Sequence, residues 1–233
     1  MPSLRPSQPT ECGFTLLELM IVVAILGVLA GGAFMIMGPV SDQTKSEASH
    51  LELNQLREAI LRFQADLGSF PKQGVLALVS DGGQIPVPTQ GATWFYHPAN
   101  FSQLYENPFT GTGHALENWS PDTRRGWRGP YLSQHGEGYV DIGASLLPDG
   151  SGSPVLGTVL TNVVAVADPF VSKPSGAYLT WQFESDSAPL NQWGRPYLLL
   201  DPHSPASARL VGFGANRVYE AGFGDDIVVS LRR

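Results

Sequence analysis

Glu18 stands four residues past Phe14 and five past Gly13, inside a run from Phe14 to Met37 (FTLLELMIVVAILGVLAGGAFMIM) in which it is the one ionisable side chain. A carboxylate in such a run costs about 2.5 to 3.5 kcal/mol or more near a bilayer centre, so a residue kept there is expected to have a use. The obvious chemistry is pairing with a cation in a medium where attraction is strong. A second set of oxygen-bearing side chains lies in the glycine-rich end of the chain, VGFGANRVYEAGFGDDIVV, where Asp225 and Asp226 could cap backbone amides. A third acidic loop, Asp149-Gly150-Ser151-Gly152-Ser153, echoes the start of a calcium loop. Its twelfth position is Leu160 rather than glutamate, which argues against it.

Enzyme chemistry finds little footing. His50, His97, His114, His135 and His203 have no ligand spacing, and no G-x-S-x-G, H-E-x-x-H, C-x-x-C or phosphate-loop pattern occurs. The expectation is a protein that is not an enzyme. The single cysteine, Cys12, precedes the apolar run, so the chain beyond it has no disulfide and no thiol chemistry. A net charge of −7 with 14 Lys and Arg excludes a typical nucleic-acid binder, since phosphate affinity needs clustered cations.

The apolar run is long enough for a spanning helix, which needs about 20 residues. Ahead of it lie only MPSLRPSQPTECG. A secretory signal would place a shorter apolar core before its cleavage site. Here a short polar leader ends in Gly13, followed by Phe14 and a glutamate at the fifth place: G-FTLLE. The string resembles the type IV pilin and pseudopilin class. The resemblance implies that prepilin peptidase cuts after Gly13 and methylates the new amino terminus at Phe14, leaving residues 1–13 as leader. It also implies that Glu18 neutralises the Phe14 ammonium of a neighbouring subunit, so that subunits seek the axial stagger pairing the two groups. The implied partners are the peptidase, other pilin-like subunits and an inner-membrane assembly platform. The implied location is the bacterial inner membrane, crossed once, with the head in the periplasm.

The elements that must position these groups follow from periodicity. Residues 14–38 form the apolar helix, and Gly38-Pro39 should kink or loosen it. Within 39–68 the residues Leu53, Leu56, Ile60, Phe63 and Leu67 recur at steps of three and four, one apolar stripe on an amphipathic helix. Gly68 and Pro71 end it. Beyond lies a head over 69–233, rich in glycine and proline, with strands expected within 156–166, 178–183, 196–200, 208–213 and 227–231. Residues 143–154 should be loop. The expected class is α+β: a long N-terminal helix, transmembrane in its first half and packed on the head in its second, with a small antiparallel sheet and long loops. The aromatic cluster of Trp94, Phe95, Tyr96, Trp119 and Trp127 suggests a small satellite core rather than a recognition surface.

Four segments of the head carry a narrower resemblance: RFQADLGSFPKQG, WRGPYLS, NQWGRPYLL and VGFGANRVYEAGFGDDIVV. They are similar, in this order, to landmarks of the major, G-type pseudopilin of type II secretion, with residues 80 to 190 as a long insertion. That family's last loop binds calcium, which implies a site from Asn216, Asp225 and Asp226 with the carbonyls of Phe213 and Val218. Asn216 stands where the family has aspartate, which removes one negative charge. The function implied is a structural subunit of a secretion pseudopilus or related filament. The alternative is a minor tip subunit whose insertion binds cargo or a surface.

Overall fold

The computed structural model describes residues 15–132, 139–143, 146–151, 159–166, 170, 178–180, 196–216 and 219–232, with backbone alone at 30–41, 139–143, 159, 161–162 and 178–180. The leader at 1–13, Phe14, residues 191–195 and Val218 lie outside them. The chain divides into two compact units, Met1–Thr44 and Lys45–Arg233.

A single helix, α1 (Leu16–Leu67), includes both stretches that periodicity treats separately and runs through Gly38 and Pro39. A proline removes one helical hydrogen bond, and the cooperativity of the flanking turns carries the helix past it. From Leu16 to Leu29 every large apolar side chain is exposed, from 45 % at Val22 to 78 % at Leu16. Among the described residues no helix is long and apolar enough to cross a membrane. The second half of the expected span, 30–38, lies where side chains are not described.

In the second unit the predicted stripe is the buried face of α1. Leu53, Leu56, Ile60, Phe63 and Leu67 are all sealed from solvent, while Glu47, Glu58 and Arg62 face outward. Each buried Leu or Phe contributes about 1.5–3 kcal/mol relative to exposure. Strands β4 (Leu198–Leu200), β5 (Arg209–Gly212) and β6 (Ile227–Ser230) form an antiparallel sheet in that order. Leu198, Leu199, Leu200, Leu210, Val211 and Ile227 join the α1 stripe in one core. Gly68, at φ 89°, ends α1 in the left-handed conformation its sequence position suggests.

The insertion supplies two short helices, α2 (Ala92–Tyr96) and α3 (Ser102–Tyr105), both too brief to leave a period in the sequence. It also supplies a second sheet of order β2-β1-β3, from β1 (Tyr139–Gly143), β2 (Val159–Val164) and β3 (Tyr178–Thr180). This sheet is mixed, since β1 pairs antiparallel with β2 and parallel with β3. The expected small antiparallel sheet is the one formed by β4, β5 and β6, and the mixed sheet stands in addition to it. The aromatic cluster is corrected: Trp94 and Phe95 are buried in the same core as α1, not in a satellite beside it. Backbone bonds tie the insertion to β4, through Leu199 N–H to the Pro98 carbonyl (2.9 Å), and to its own β2, through Phe101 N–H to the Val164 carbonyl (2.7 Å). Beneath α2 the buried Lys72 donates from Nζ to the His97 carbonyl at 2.6 Å, and burial lowers its pKa to about 7.

Candidate functional site

At the N-terminal end, α1 opens on a capping pair. Thr15 Oγ1 accepts the Glu18 N–H at 3.2 Å, and the Thr15 hydroxyl lies 3.5 Å from Glu18 Oε2. The T-x-x-E spacing is the capping-box signature, legible in the sequence but passed over in favour of Glu18 alone. The carboxylate also faces the positive end of the helix dipole, an electrostatic reason for its place in the first turn. Gly13 and Phe14 lie outside the described residues, so the pairing of Glu18 with an amine is not placed here.

Of the implied calcium set, Phe213, Asn216, Asp225 and Asp226 lie in the described part of the C-terminal loop, and Val218 lies outside it. Asp225 Oδ2 accepts the Asn216 N–H at 2.8 Å. Asp226 Oδ2 accepts two amides, Glu220 N–H at 2.9 Å and Gly222 N–H at 2.8 Å. Glu220, which sequence reading did not single out, takes the Asp225 N–H at 3.1 Å and is the third carboxylate of the loop. Gly214, at φ 67°, lets the chain pass so close to Asp225 that a Cβ would collide with its backbone. The Phe213 ring is buried edge-on to Tyr219 at 5.8 Å. Both aspartates thus cap amides, as their setting in a glycine-rich turn suggests.

One oxygen of this loop is unaccounted for. Asp226 Oδ1 is buried and has no hydrogen-bond partner among the described residues. Burial holds the Asp226 carboxyl above the usual carboxylate range. The amides of Gly222 and Glu220 pull it down, while the charges of Glu220 and Asp225 push it up. A buried carboxylate oxygen facing two other carboxylates is the chemistry a hard cation such as calcium would relieve. As the loop stands, Asp225 Oδ2, Asp226 Oδ2 and Glu220 Oε2 are turned to amides. Among the described residues no three His, Cys, Asp or Glu side chains converge on a metal position.

A second carboxylate closes a loop at the far end of α1. Asp66, 4 % exposed, takes Arg128 Nη2 at 3.2 Å on Oδ1 and the Tyr131 hydroxyl at 3.0 Å on Oδ2. Its carbonyl accepts the Gly126 N–H at 3.0 Å. Phe63, Trp127 and Tyr131 meet edge to face around it, with centroids 5.0 to 6.2 Å apart. The R-G-P-Y-L segment is therefore a clamp on the helix end, doing by hydrogen bonds what a disulfide would do.

A cleft of about 530 Å³ opens beside α2, lined by Ala77, Asp81, Tyr96, His97, Leu147 and His203 among others. Neither histidine makes a metal cluster there among the described residues. No curated protein and no solved structure matches the chain. Residues 9–34 match the family model of the prokaryotic N-terminal methylation motif, and the match supports a type IV pilin-like protein that prepilin peptidase processes and that assembles with other pilin subunits.

Proposed function

We propose that the protein is a structural subunit of a type II secretion pseudopilus or a related type IV pilus-like filament. The observation that carries this reading is the methylation motif over 9–34 set at the head of α1, whose described apolar run is exposed on every side. A helix apolar all round needs lipid or other helices about it. In this reading residues 14–38 anchor the chain in the bacterial inner membrane with the head in the periplasm. Cleavage after Gly13 frees the Phe14 amine, a neighbour's Glu18 neutralises it, and the apolar helices leave lipid for a filament core. Calcium in the C-terminal loop belongs to this proposal, supported by the orphaned Asp226 Oδ1.

Co-expression with a prepilin peptidase tests the reading. The expected product lacks thirteen residues, begins at a methylated Phe14 and is recovered in sheared filaments. Intact mass retaining Met1 beside an active peptidase would overturn it. Glu18→Leu should insert normally and assemble poorly, because a costly charge and the amine's partner go together. A second reading, a minor tip subunit that binds cargo, is favoured by the cleft beside α2, whose size suits a small ligand or one side chain of a partner. Abundance along the filament rather than one copy per filament would exclude it.

A further inference from the structure

The head carries two opposed surfaces that the assembly reading leaves unexplained. At the C-terminal end of α1 the segment TRRGWR (123–128) gathers three arginines in a chain of net charge −7. Arg124, Arg125 and Arg128 are all exposed. The Arg128 guanidinium lies 4.2 Å above the Trp119 ring, and Arg125 Nη1 reaches the Ala65 carbonyl at 3.4 Å. Arg128 is also paired with Asp66, so Arg124 and Arg125 supply most of the cationic charge of this face. At the other surface Phe223 is 76 % exposed, on a turn between Gly222 and Gly224 at φ 89° and 60°. Glu220, Asp225 and Asp226 surround that turn through the hydrogen bonds that shape it.

The register of the β5–β6 hairpin places these surfaces at opposite ends of the head. Its open end is fixed by Arg57, which donates from Nε to the Ser230 carbonyl at 2.9 Å. Its loop end begins at Gly212, where a Cβ would stand 3.6 Å from Leu53 Cδ1. From Arg209 to Gly212 the strand therefore runs from the Arg57 level to the Leu53 level, and the Gly222 turn packs beside Val228 near that end of the hairpin. The arginine segment holds Ala65 and Asp66 instead. From Leu53 to Asp66 the helix rises about 20 Å at 1.5 Å per residue. The aromatic, acidic tip and the cationic face are thus separated within one chain.

We infer that Phe223 and its acidic turn dock on the Arg124–Arg128 face of a second copy, head to tail. The inference rests on the filament reading, in which α1 helices lie parallel and the leading end of one head meets the trailing end of the next. Unlike surfaces on the two sides of a contact make it heterologous, and a heterologous contact that does not close generates a helical filament. An aromatic ring fits the face of a guanidinium, and the turn, with three carboxylates, keeps a net negative charge toward the arginines even beside a divalent cation. Aromatic and arginine anchors are the residue types that dominate such contacts. The second copy is the occupant because one chain presents both complementary halves and cannot join them to each other.

Cysteine crosslinking in assembled filaments tests the contact, since Cys12 is the one native thiol. Full-length chains with Cys12→Ser, Arg124→Cys and Phe223→Cys are co-expressed with the peptidase and assembly machinery, then treated with a short bis-maleimide. A ring stacked on a guanidinium holds the two backbones beyond disulfide reach, so a spacer is needed. The double variant should give a ladder of covalent multimers, each single variant monomers, and the two single variants mixed in one cell dimers only. Arg124→Glu should lower filament yield about tenfold, and Phe223→Lys in the same chain should restore part of it. Filaments of normal yield in Arg124→Glu, with no ladder from the double variant, overturn the contact and leave the filament reading intact. One crosslinked band containing a different protein overturns it in favour of a heterologous partner. A wild-type chain left uncut by an active peptidase, and absent from filaments, overturns the filament reading and the contact with it.

Discussion

Asp66 and Asp226 perform the same task in two loops with different completeness. Each is a carboxylate that gathers backbone or side-chain donors and so fixes an irregular segment against the core. Asp66 has both oxygens satisfied, one by Arg128 and one by Tyr131. Asp226 has two amides on Oδ2 and, among the described residues, nothing on its buried Oδ1. The first closes with donors the chain itself provides, including a cation. The second is surrounded by other carboxylates and raised in pKa. A chain with no cysteine beyond Cys12 can fix loops this way, but only where a donor is encoded for each oxygen.

Removing Asp66 should break the comparison on its complete side and give the largest effect. Asp66→Ala deletes a buried carboxylate and leaves the Tyr131 hydroxyl without its acceptor. Arg128 is 60 % exposed and recovers water, so the loss falls below that of a fully buried ion pair. We expect the head, Lys45–Arg233, to lose about 3 kcal/mol, the scale of a hydrogen bond to a charged group plus a stranded partner. Thermal unfolding should register this as a drop of about 10 °C in Tm. Tm within 2 °C of wild type, about the least shift expected per kcal/mol, would mean the aromatic trio alone holds the segment.

Calcium tests the incomplete side. A cation that binds only the folded loop stabilises by RT ln(1 + [L]/Kd), about 2.7 kcal/mol at a hundredfold excess over Kd. Millimolar calcium should raise the Tm of the head, and Asp226→Asn should abolish most of that rise. In chelator the same variant should equal or exceed wild type, because a neutral amide replaces a carboxylate whose burial is uncompensated. Superimposable wild-type melts in calcium and chelator would show a loop held by hydrogen bonds alone.

How far the two sides were legible in the sequence differs for a physical reason. The α1 stripe from Leu53 to Leu67 declared itself because a long helix repeats its buried face every three or four residues. Strands β4 to β6 were readable from their β-branched and aliphatic runs between glycines. Asp225 and Asp226 stood out as caps of a glycine-rich turn and as metal ligands only through resemblance, and Glu220 not at all, since a loop has no period to mark which carboxylate turns inward. The Asp66 clamp joins residues 62 and 65 positions apart, a pairing no local pattern carries. Within the insertion, β2 and β3 fall inside the strands expected at 156–166 and 178–183, while the rest of the insertion escaped for a third reason. Its helices of five and four residues are shorter than the window in which periodicity can be seen, and β1 pairs with β3 in parallel across a long crossover.

Acid should act on the incomplete carboxylate in a direction that calcium reverses. The folded pKa of Asp226 lies above its unfolded value, so in chelator its protonation favours the folded state at low pH. That contribution is lost as pH rises through the folded pKa. With calcium bound, the ionised form is the one that holds the metal, so the calcium-dependent rise in Tm should shrink as pH falls through the same window. Melts from pH 7 to pH 4, in chelator and in calcium, should therefore converge. A calcium effect independent of pH would place the cation away from Asp226.

The smallest expected effect is also the most local. Asn216 gives its backbone N–H to Asp225 Oδ2 and stands where the resembling family has aspartate. Asn216→Asp adds a charge beside Asp225 and Glu220, so in chelator it should cost up to about 0.5 kcal/mol by like-charge repulsion. With calcium the same charge becomes a ligand, and restoring it should tighten binding about tenfold, or 1.4 kcal/mol. Titration calorimetry on the head measures the second effect and melts in chelator the first. The two signs must be opposite if the position-216 side chain faces the cation. Unchanged affinity together with the expected loss in chelator would remove Asn216 from the ligand set, leaving any cation to Asp226, Asp225 and Glu220.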